Sequence, residues 1–243
     1  MIYKIETKYI YVFLLKYNME RASFLCFDAM LTHDDAEAFD KFVEAKDVYM
    51  TLEPCDKVFR ELASIFVRLG NFENKSKNYE EATKYYQQST EYYEKSVKIK
   101  PSPDIYCYFA ETCVKLNDER APDLFIEAIE LGSKRACLHY GWFLHQKKEF
   151  HNALFYYRLA IRDNEELSTH LCAEVVFKIG LIYHERFMEL HIQSHFDEAE
   201  KNYEEANNML VRGQEHAQVF LPILRSGCIA NFWVEHKRLT EML

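Results

Sequence analysis

Residues 135–162 read RACLHYGWFLHQKKEFHNALFYYRLAIR, and this stretch decides the fold of the chain. A small residue at Gly141 is followed by a large one at Leu144, by a second small residue at Ala153, and by a large one at Tyr157. Small residues at facing positions let two helix backbones approach closely, and large residues fill the space beside them. The stretch therefore predicts a closely packed pair of antiparallel helices.

The same series of small residues recurs along the chain, which predicts a helical repeat. The small residues are Cys26, Ala63, Ala110, Gly141 and Gly180 in the first helices, Ala38, Ser89, Ala121, Ala153 and Ala199 in the second helices, and Ala45, Ser96, Ala128, Ala160 and Ala206 near the second-helix ends. The expected helix-pair units span residues 19–52, 56–101, 103–134, 135–166 and 173–209. The polar segment 73–77 is expected to be either a loop or an extension of the helices on both sides of it.

The composition agrees with an all-α protein and excludes several other classes. The chain of 243 residues has only 6 glycines and 5 prolines, too few for the turns of an all-β protein and without the glycine cluster of a phosphate-binding loop. A hydrophobic content of 49% supplies enough apolar surface to exclude a disordered chain. The net charge of −9 argues against nucleic acid as the main partner, because phosphate contacts need a basic surface.

At these small-residue positions the chain resembles the tetratricopeptide-repeat (TPR) family, with a Sel1-like feature at the junction 130–132. The glycine-rich loop of Sel1 repeats is missing, which favours TPR. The resemblance implies a right-handed α-solenoid of antiparallel helix pairs. Residues 1–18 are expected to form an N-terminal arm or a frayed helix, and residues 214–243 to form helices that cap the last apolar face of the solenoid.

The resemblance also implies which residues of each first helix face the concave groove. In the second unit these include three basic residues, and in the fourth and fifth units they include four apolar ones. The candidate partner-binding residues are Lys57, Arg60, Arg68, Leu138, Trp142, Phe177 and Leu181. Position nine of the five units holds Phe27, Ser64, Glu111, Trp142 and Leu181, so the asparagine of TPR domains that clamp chaperone C-terminal tails is missing. We therefore expect no such clamp. For Trp142, coverage by the chain's own C-terminal helix and packing in the core are open alternatives to exposure in the groove.

The sequence contains no set of nucleophile, base and orienting group, so we expect no catalysis and no cofactor. His191 and His195 are four residues apart and could share a metal ion with His184, but ordinary histidines in a connection between helices explain the pattern as well. We therefore expect no metal site, and a helical metalloenzyme is a minor alternative.

The sequence thus predicts a non-catalytic adaptor that binds a peptide or helix with acidic and apolar anchors in its concave groove. A TPR regulator whose superhelix changes shape when it binds a ligand is the main alternative, with residues 73–77 and their flanks as its mobile element. RNA binding by helical repeats is another. Seven scattered cysteines without a Cys-x-x-Cys pair indicate free thiols in a reducing compartment, and no apolar run is long enough to span a membrane, so a cytoplasmic protein is expected.

Overall fold

The computed structural model describes residues 2–162, 169–190, 194, 195, 197–202 and 204. The chain divides into two compact units, residues 1–149 and residues 150–243. The helices are α1 (Ile2–Leu31), α2 (Asp35–Met50), α3 (Asp56–Lys75), α4 (Tyr79–Ile99), α5 (Pro103–Lys115), α6 (Ala121–Glu130) and α7 (Lys134–Gln146) in unit 1, and α8 (Phe150–Ile161) and α9 (Thr169–Leu190) in unit 2. The described residues contain no strand, and the predicted all-α fold is confirmed.

Capping side chains or a proline in the first turn mark the start of several of these helices. The Asp34 carboxylate accepts a hydrogen bond from the backbone N–H of Glu37 at 2.8 Å, which caps the start of α2. The Ser133 hydroxyl accepts one from the backbone N–H of Ala136 at 3.1 Å at the start of α7. Pro103 lies in the first turn of α5, where its missing N–H costs nothing.

Three connections between a first and a second helix use the same turn. After α3, α5 and α7 a residue with positive φ follows: Lys77 (65°), Asn117 (53°) and Lys148 (61°). The next residue donates its backbone N–H to the carbonyl five residues earlier, for example from Asn78 to Glu73 at 2.8 Å. This pattern is the Schellman motif, which satisfies the last carbonyl groups of a helix and ends it. The repeat in the sequence is therefore also a repeat in turn geometry.

The positive φ angles give a stability prediction. A left-handed backbone costs roughly 1 kcal/mol for a residue with a Cβ and almost nothing for glycine. We expect Lys77→Gly and Lys148→Gly each to raise the free energy of unfolding by about 0.5–1 kcal/mol in urea denaturation. Gly132 has φ 94° and open space around a built Cβ, so no clash complicates the opposite substitution there. Gly132→Lys should lower the free energy of unfolding by a similar amount. A loss of stability in both lysine variants would contradict the backbone argument.

The core of unit 1 forms where the predicted small residues meet. Ala63, Ala110, Ala121 and Ala128 are each 0% exposed. Ser89 is equally buried, and its hydroxyl donates a hydrogen bond to the carbonyl of Ala63 at 2.9 Å, which joins α4 to α3. Aromatic rings fill the adjacent space; the rings of Phe66 and Tyr92 stack at 5.5 Å and those of Phe125 and Tyr140 also at 5.5 Å. The close approach inferred from residue size is thus present in the packing.

Unit 2 follows the same packing rule over its described part. Ala153, Tyr157 and Ala160 of α8 are buried, as are Val175 and Ile182 of α9. A hydrogen bond from the Arg158 guanidinium to the Tyr183 hydroxyl at 2.9 Å links the two helices at the surface.

The structure describes the conformation of two segments for which the sequence left alternatives open. α1 begins at Ile2, so residues 2–18 form one helix with residues 19–31. α3 runs to Lys75, so most of the segment 73–77 extends a helix and the connection to α4 is only a short turn. The expected capping helices at 214–243 lie outside the described residues.

Buried thiols and a buried tyrosine give a pH prediction. Burial raises the pKa of Cys137 to about 11 and of Cys113 to about 12 from an ordinary value near 9, and raises the pKa of Tyr49 from about 10 to about 12. The folded state holds these protons more tightly than the unfolded state. Their stabilising contribution is therefore complete below pH 9 and is lost as the pH rises toward 12.

We accordingly expect the free energy of unfolding to fall steadily between pH 9 and pH 11, as measured by urea denaturation. Cys137→Ala should reduce that slope, whereas Cys55→Ser, which changes an exposed thiol, should leave it as in the wild type. Equal slopes in the wild type and Cys137→Ala would contradict a contribution from this thiol.

Candidate partner-binding surface

Three basic residues lie along the face of α3 that points away from the core. Lys57 is exposed and Arg60 and Arg68 are half-buried, whereas Val58, Ile65 and the other buried residues of α3 occupy the opposite side. At 100° per residue the three basic positions fall within an arc of about 80°, and they span about 16 Å along the helix axis. We call Lys57, Arg60 and Arg68 the α3 basic stripe.

The three members of the stripe differ in how they are held. The Arg68 guanidinium lies 5.4 Å from the centroid of the Phe42 ring on α2, a cation–π contact that fixes it against the preceding helix pair. Lys57 and Arg60 make no hydrogen bond or ion pair with any residue that the structure describes. Two cations of the stripe are therefore available to a ligand without breaking an internal ion pair.

A second polar cluster connects α5 and α7, the first helices of the third and fourth repeats. The Arg135 guanidinium lies 4.8 Å from the centroid of the Tyr108 ring and donates a hydrogen bond to its hydroxyl at 3.1 Å. Nε2 of His139 lies 3.3 Å from Oε1 of Glu111, and Nε of Arg135 lies 3.9 Å from the same oxygen. These four residues form the α5–α7 cluster, which places the outer faces of the two helices side by side.

No residue of the α5–α7 cluster is among the predicted partner-binding residues. Glu111 and Arg135 stand at groove positions of the family, but Tyr108 and His139 do not. The usable signal was their spacing, since Tyr108 and Glu111 are three residues apart and Arg135 and His139 are four apart, and such pairs share a helix face. Glu111 also raises the pKa of the buried Cys107 thiol, after burial itself, because a thiolate beside a carboxylate is disfavoured.

The predicted apolar anchors occupy different environments. Trp142 on α7 is 39% exposed, and its ring meets the His145 ring edge-on at 5.6 Å, so it reaches the surface instead of filling the core. Leu138, one turn earlier on α7, is only 3% exposed. Its side chain lies in the interior and is not accessible to a partner. The groove-facing position that the family resemblance implied for Leu138 is therefore corrected.

The other two predicted anchors lie on α9 in unit 2, where Phe177 and Leu181 are half-buried. They are four residues apart and therefore share a face of that helix. The single apolar cluster expected from the sequence thus draws on two units, with Leu138 and Trp142 in one and Phe177 and Leu181 in the other.

No cluster of three or more potential metal-ligating side chains occurs among the residues that the structure describes. His191 and the side chain of His184, two members of the minor metalloenzyme hypothesis, lie outside those residues. The described part of the chain likewise contains no helix that is long and apolar enough to span a membrane.

Comparison with known families identifies the repeat directly. The pattern of the tetratricopeptide repeat matches residues 63–91 and residues 134–164, which correspond to much of the second and fourth predicted units. The chain contains tetratricopeptide repeats. Both matches include the small residues on which the sequence argument depended, Ala63 and Ser89 in one and Gly141 and Ala153 in the other.

One solved structure supports the same fold. The crystal structure of BtubC from P. vanneervenii aligns with a TM-score of 0.55 and 14% sequence identity, covering 84% of this chain and 93% of that one. A crystal structure of MamA aligns over 73% of this chain and 93% of its own length, with a TM-score of 0.49 and 18% identity. At such low identity the alignment with BtubC is evidence for the fold alone. No curated protein matches the sequence.

Tetratricopeptide repeats support a role in protein interaction in general, and the family is typically non-catalytic. The α3 basic stripe, the α5–α7 cluster and Trp142 lie on first helices of unit 1. Together they form the candidate partner-binding surface.

Proposed function

We propose that this protein is a non-catalytic adaptor that binds an extended peptide segment of a partner protein on the first-helix face of unit 1. The observation that carries the proposal is the α3 basic stripe, because Lys57 and Arg60 present cationic groups that have no ionic partner among the residues that the structure describes. An acidic peptide segment would pair with the stripe. Trp142 would supply the apolar contact, since tryptophan is among the residues that contribute most to binding energy when a partner covers it.

The dimensions of the stripe suggest a spacing for the acidic anchors. Arg60 and Arg68 are separated by about 12 Å along the helix axis. An extended peptide rises about 3.3 Å per residue, so two acidic residues about four positions apart would reach both guanidinium groups. Arg68 is held by its contact with Phe42, which lowers the entropy lost when it pairs with a carboxylate.

The α5–α7 cluster would act as a rigid floor between the stripe and Trp142. Arg135, Tyr108, Glu111 and His139 already contact one another, so these side chains lose little freedom when a peptide crosses them. Phe177 and Leu181 of unit 2 stay a prediction as additional anchors. The absence of a chaperone-tail clamp also stays a prediction.

The proposal is tested by selection from a displayed library of random 12-residue peptides. We expect the wild type to enrich peptides that combine two acidic residues with an aromatic or aliphatic one. The selected peptide, labelled with a fluorophore, should bind more weakly in fluorescence anisotropy when its acidic residues are replaced by amides, and more weakly at 300 mM than at 50 mM NaCl. Enrichment of basic peptides, or equal binding of the acidic and amide forms, would overturn the proposal.

A further inference from the structure

α1 carries a row of large apolar side chains that the fold leaves exposed. Tyr17, Phe24, Phe27 and Leu31 are 55%, 66%, 57% and 61% exposed. At 100° per residue they fall within an arc of about 80° on the helix. We call these four residues the α1 apolar stripe. Glu20 falls in the same arc between Tyr17 and Phe24 and pairs with Lys16 at 3.8 Å, so the stripe is an exposed apolar surface with one ion pair near its start. Exposed apolar surface of this kind is typical of an interaction site.

The opposite face of α1 is already used by the fold. Ala22 and Ala29 are buried, and the Ser23 hydroxyl lies 2.9 Å from the Tyr49 hydroxyl of α2. Met19 and Leu25 pack against the core cluster that contains Phe42. The α1 apolar stripe is therefore not a face that α2 could cover by a small shift, because α2 packs on the other side of the helix.

The distribution of charge along the first 41 residues is self-complementary. Residues 2–16 contain three lysines and one glutamate, whereas residues 17–41 contain six acidic residues with one arginine and one lysine. The acidic part includes the exposed first turn of α2, where Asp34, Asp35 and Glu37 follow the end of α1. Within α1 itself, residues 2–16 carry a net charge of +2 and residues 17–31 a net charge of −1, and of the acidic residues that follow, Asp35 already pairs with Lys75 and Glu37 with Lys41. An antiparallel arrangement of two α1 helices brings the basic half of each copy beside the weakly acidic half of the other. A parallel arrangement brings like charges together.

The length of α1 is also consistent with a second α1 helix, from another copy of the chain, as the partner. α1 has 30 residues and is therefore about 45 Å long. A stable interface of standard size buries about 800 Å² on each partner, so two helices must contact along most of this length. Full antiparallel overlap satisfies this requirement and is isologous: the α1 apolar stripe of each copy faces residues 2–16 of the other, and the two stripes meet only near position 17 at the two-fold axis.

From these observations we propose that the α1 apolar stripe is a homodimer interface in which the α1 helices of two copies pack antiparallel. The proposal is independent of the peptide site, because it uses neither the α3 basic stripe nor Trp142.

Analytical ultracentrifugation of the full chain tests the proposal. We expect the wild type to sediment as a dimer at micromolar concentrations. Phe24→Glu with Phe27→Glu should raise the dissociation constant at least 100-fold while the helical circular dichroism stays unchanged. Phe155→Glu alters an apolar residue of α8 that is 59% exposed, and Lys57→Glu with Arg60→Glu alters the peptide site; both controls should dimerise like the wild type. A wild-type monomer at 100 µM, or a dimer that resists the double glutamate change, overturns the proposal.

The orientation is tested by engineered disulfides in a Cys55→Ser background, which removes an exposed thiol. In a full antiparallel overlap, residue 17 lies near the two-fold axis and therefore close to residue 17 of the other copy. The two residues at position 31 lie far apart, at opposite ends of the helix pair. Tyr17→Cys should therefore cross-link readily under mild oxidation and Leu31→Cys should not. Equal or preferential cross-linking through Leu31→Cys would overturn the antiparallel arrangement.

Discussion

Gly70→Ala is expected to lower the free energy of unfolding by about 1–3 kcal/mol, although alanine is the better helix former. Gly70 is buried where α3 meets α4, and a Cβ built on it lies 2.6 Å from Cε1 and 2.8 Å from Cδ1 of Tyr86. The ring cannot move away easily. The Tyr86 hydroxyl donates a hydrogen bond to the Asn71 side chain at 2.9 Å, and the Lys115 ammonium lies 5.5 Å from the ring centroid.

A double-mutant cycle separates this clash from other effects. In a Tyr86→Ala background the same Gly70→Ala change should cost much less, because the ring is gone and the gain in helix propensity of about 1 kcal/mol offsets the remaining contact of the Cβ with the Ala82 carbonyl oxygen at 3.2 Å. Urea denaturation of the four proteins gives the coupling energy directly. Equal destabilisation by Gly70→Ala in both backgrounds would show that Tyr86 does not set the cost.

The second large effect concerns binding. Lys57→Glu with Arg60→Glu is expected to weaken the affinity for the selected acidic peptide by about 10- to 100-fold at 50 mM NaCl. Each exposed ion pair contributes up to about 1 kcal/mol, and a reversed charge replaces attraction with repulsion. The difference should shrink at 300 mM NaCl, since salt screens exposed charges.

The matched control is Lys100→Glu, which reverses an exposed charge just beyond the end of α4. It changes the net charge in the same direction, by −2 against −4 for the stripe variant, but lies off the first-helix face, so it should change the affinity less than two-fold. If Lys100→Glu and the stripe variant weaken binding similarly, the effect comes from net charge and the α3 basic stripe has no specific role.

The fold could be predicted well because it depends on residue size at fixed spacing. Ala38, Ala110 and Ala153 were selected as small residues alone, and each is buried at a helix contact. A large side chain at any of them would separate two backbones, so the constraint is visible in a single sequence. The turns repeat for a related reason, as α3, α5 and α7 each end in the same hydrogen-bond pattern.

The candidate surface was harder to predict, because helical register gives the direction of a side chain and not how much of it is covered. Arg60, Cys107 and Leu138 stand at the same position of three successive repeats. Arg60 is half-buried, whereas Cys107 and Leu138 are buried. The depth of each position depends on the neighbouring helices, and these are not adjacent in the sequence.

The α5–α7 cluster likewise could not be predicted, because its contacts join two different helices. Arg135 meets Tyr108 across 27 residues of sequence, and no local pattern joins the two. The exposed face of α1 was not among the predicted sites for a different reason: residues 1–18 were expected to form an arm or a frayed helix, and only the packing of α2 shows which side of α1 stays open.

The measurement that tests the central claim most directly is photo-crosslinking of the full chain with the selected acidic peptide carrying a benzophenone side chain. Mass spectrometry then locates the attachment sites. Binding on the first-helix face of unit 1 predicts attachment to α3, α5 and α7, with loss of the crosslinks in Lys57→Glu with Arg60→Glu and their retention in Lys100→Glu. Attachment confined to α2, α4 and α6, unaffected by the stripe variant, would contradict the account and place the partner on the opposite face.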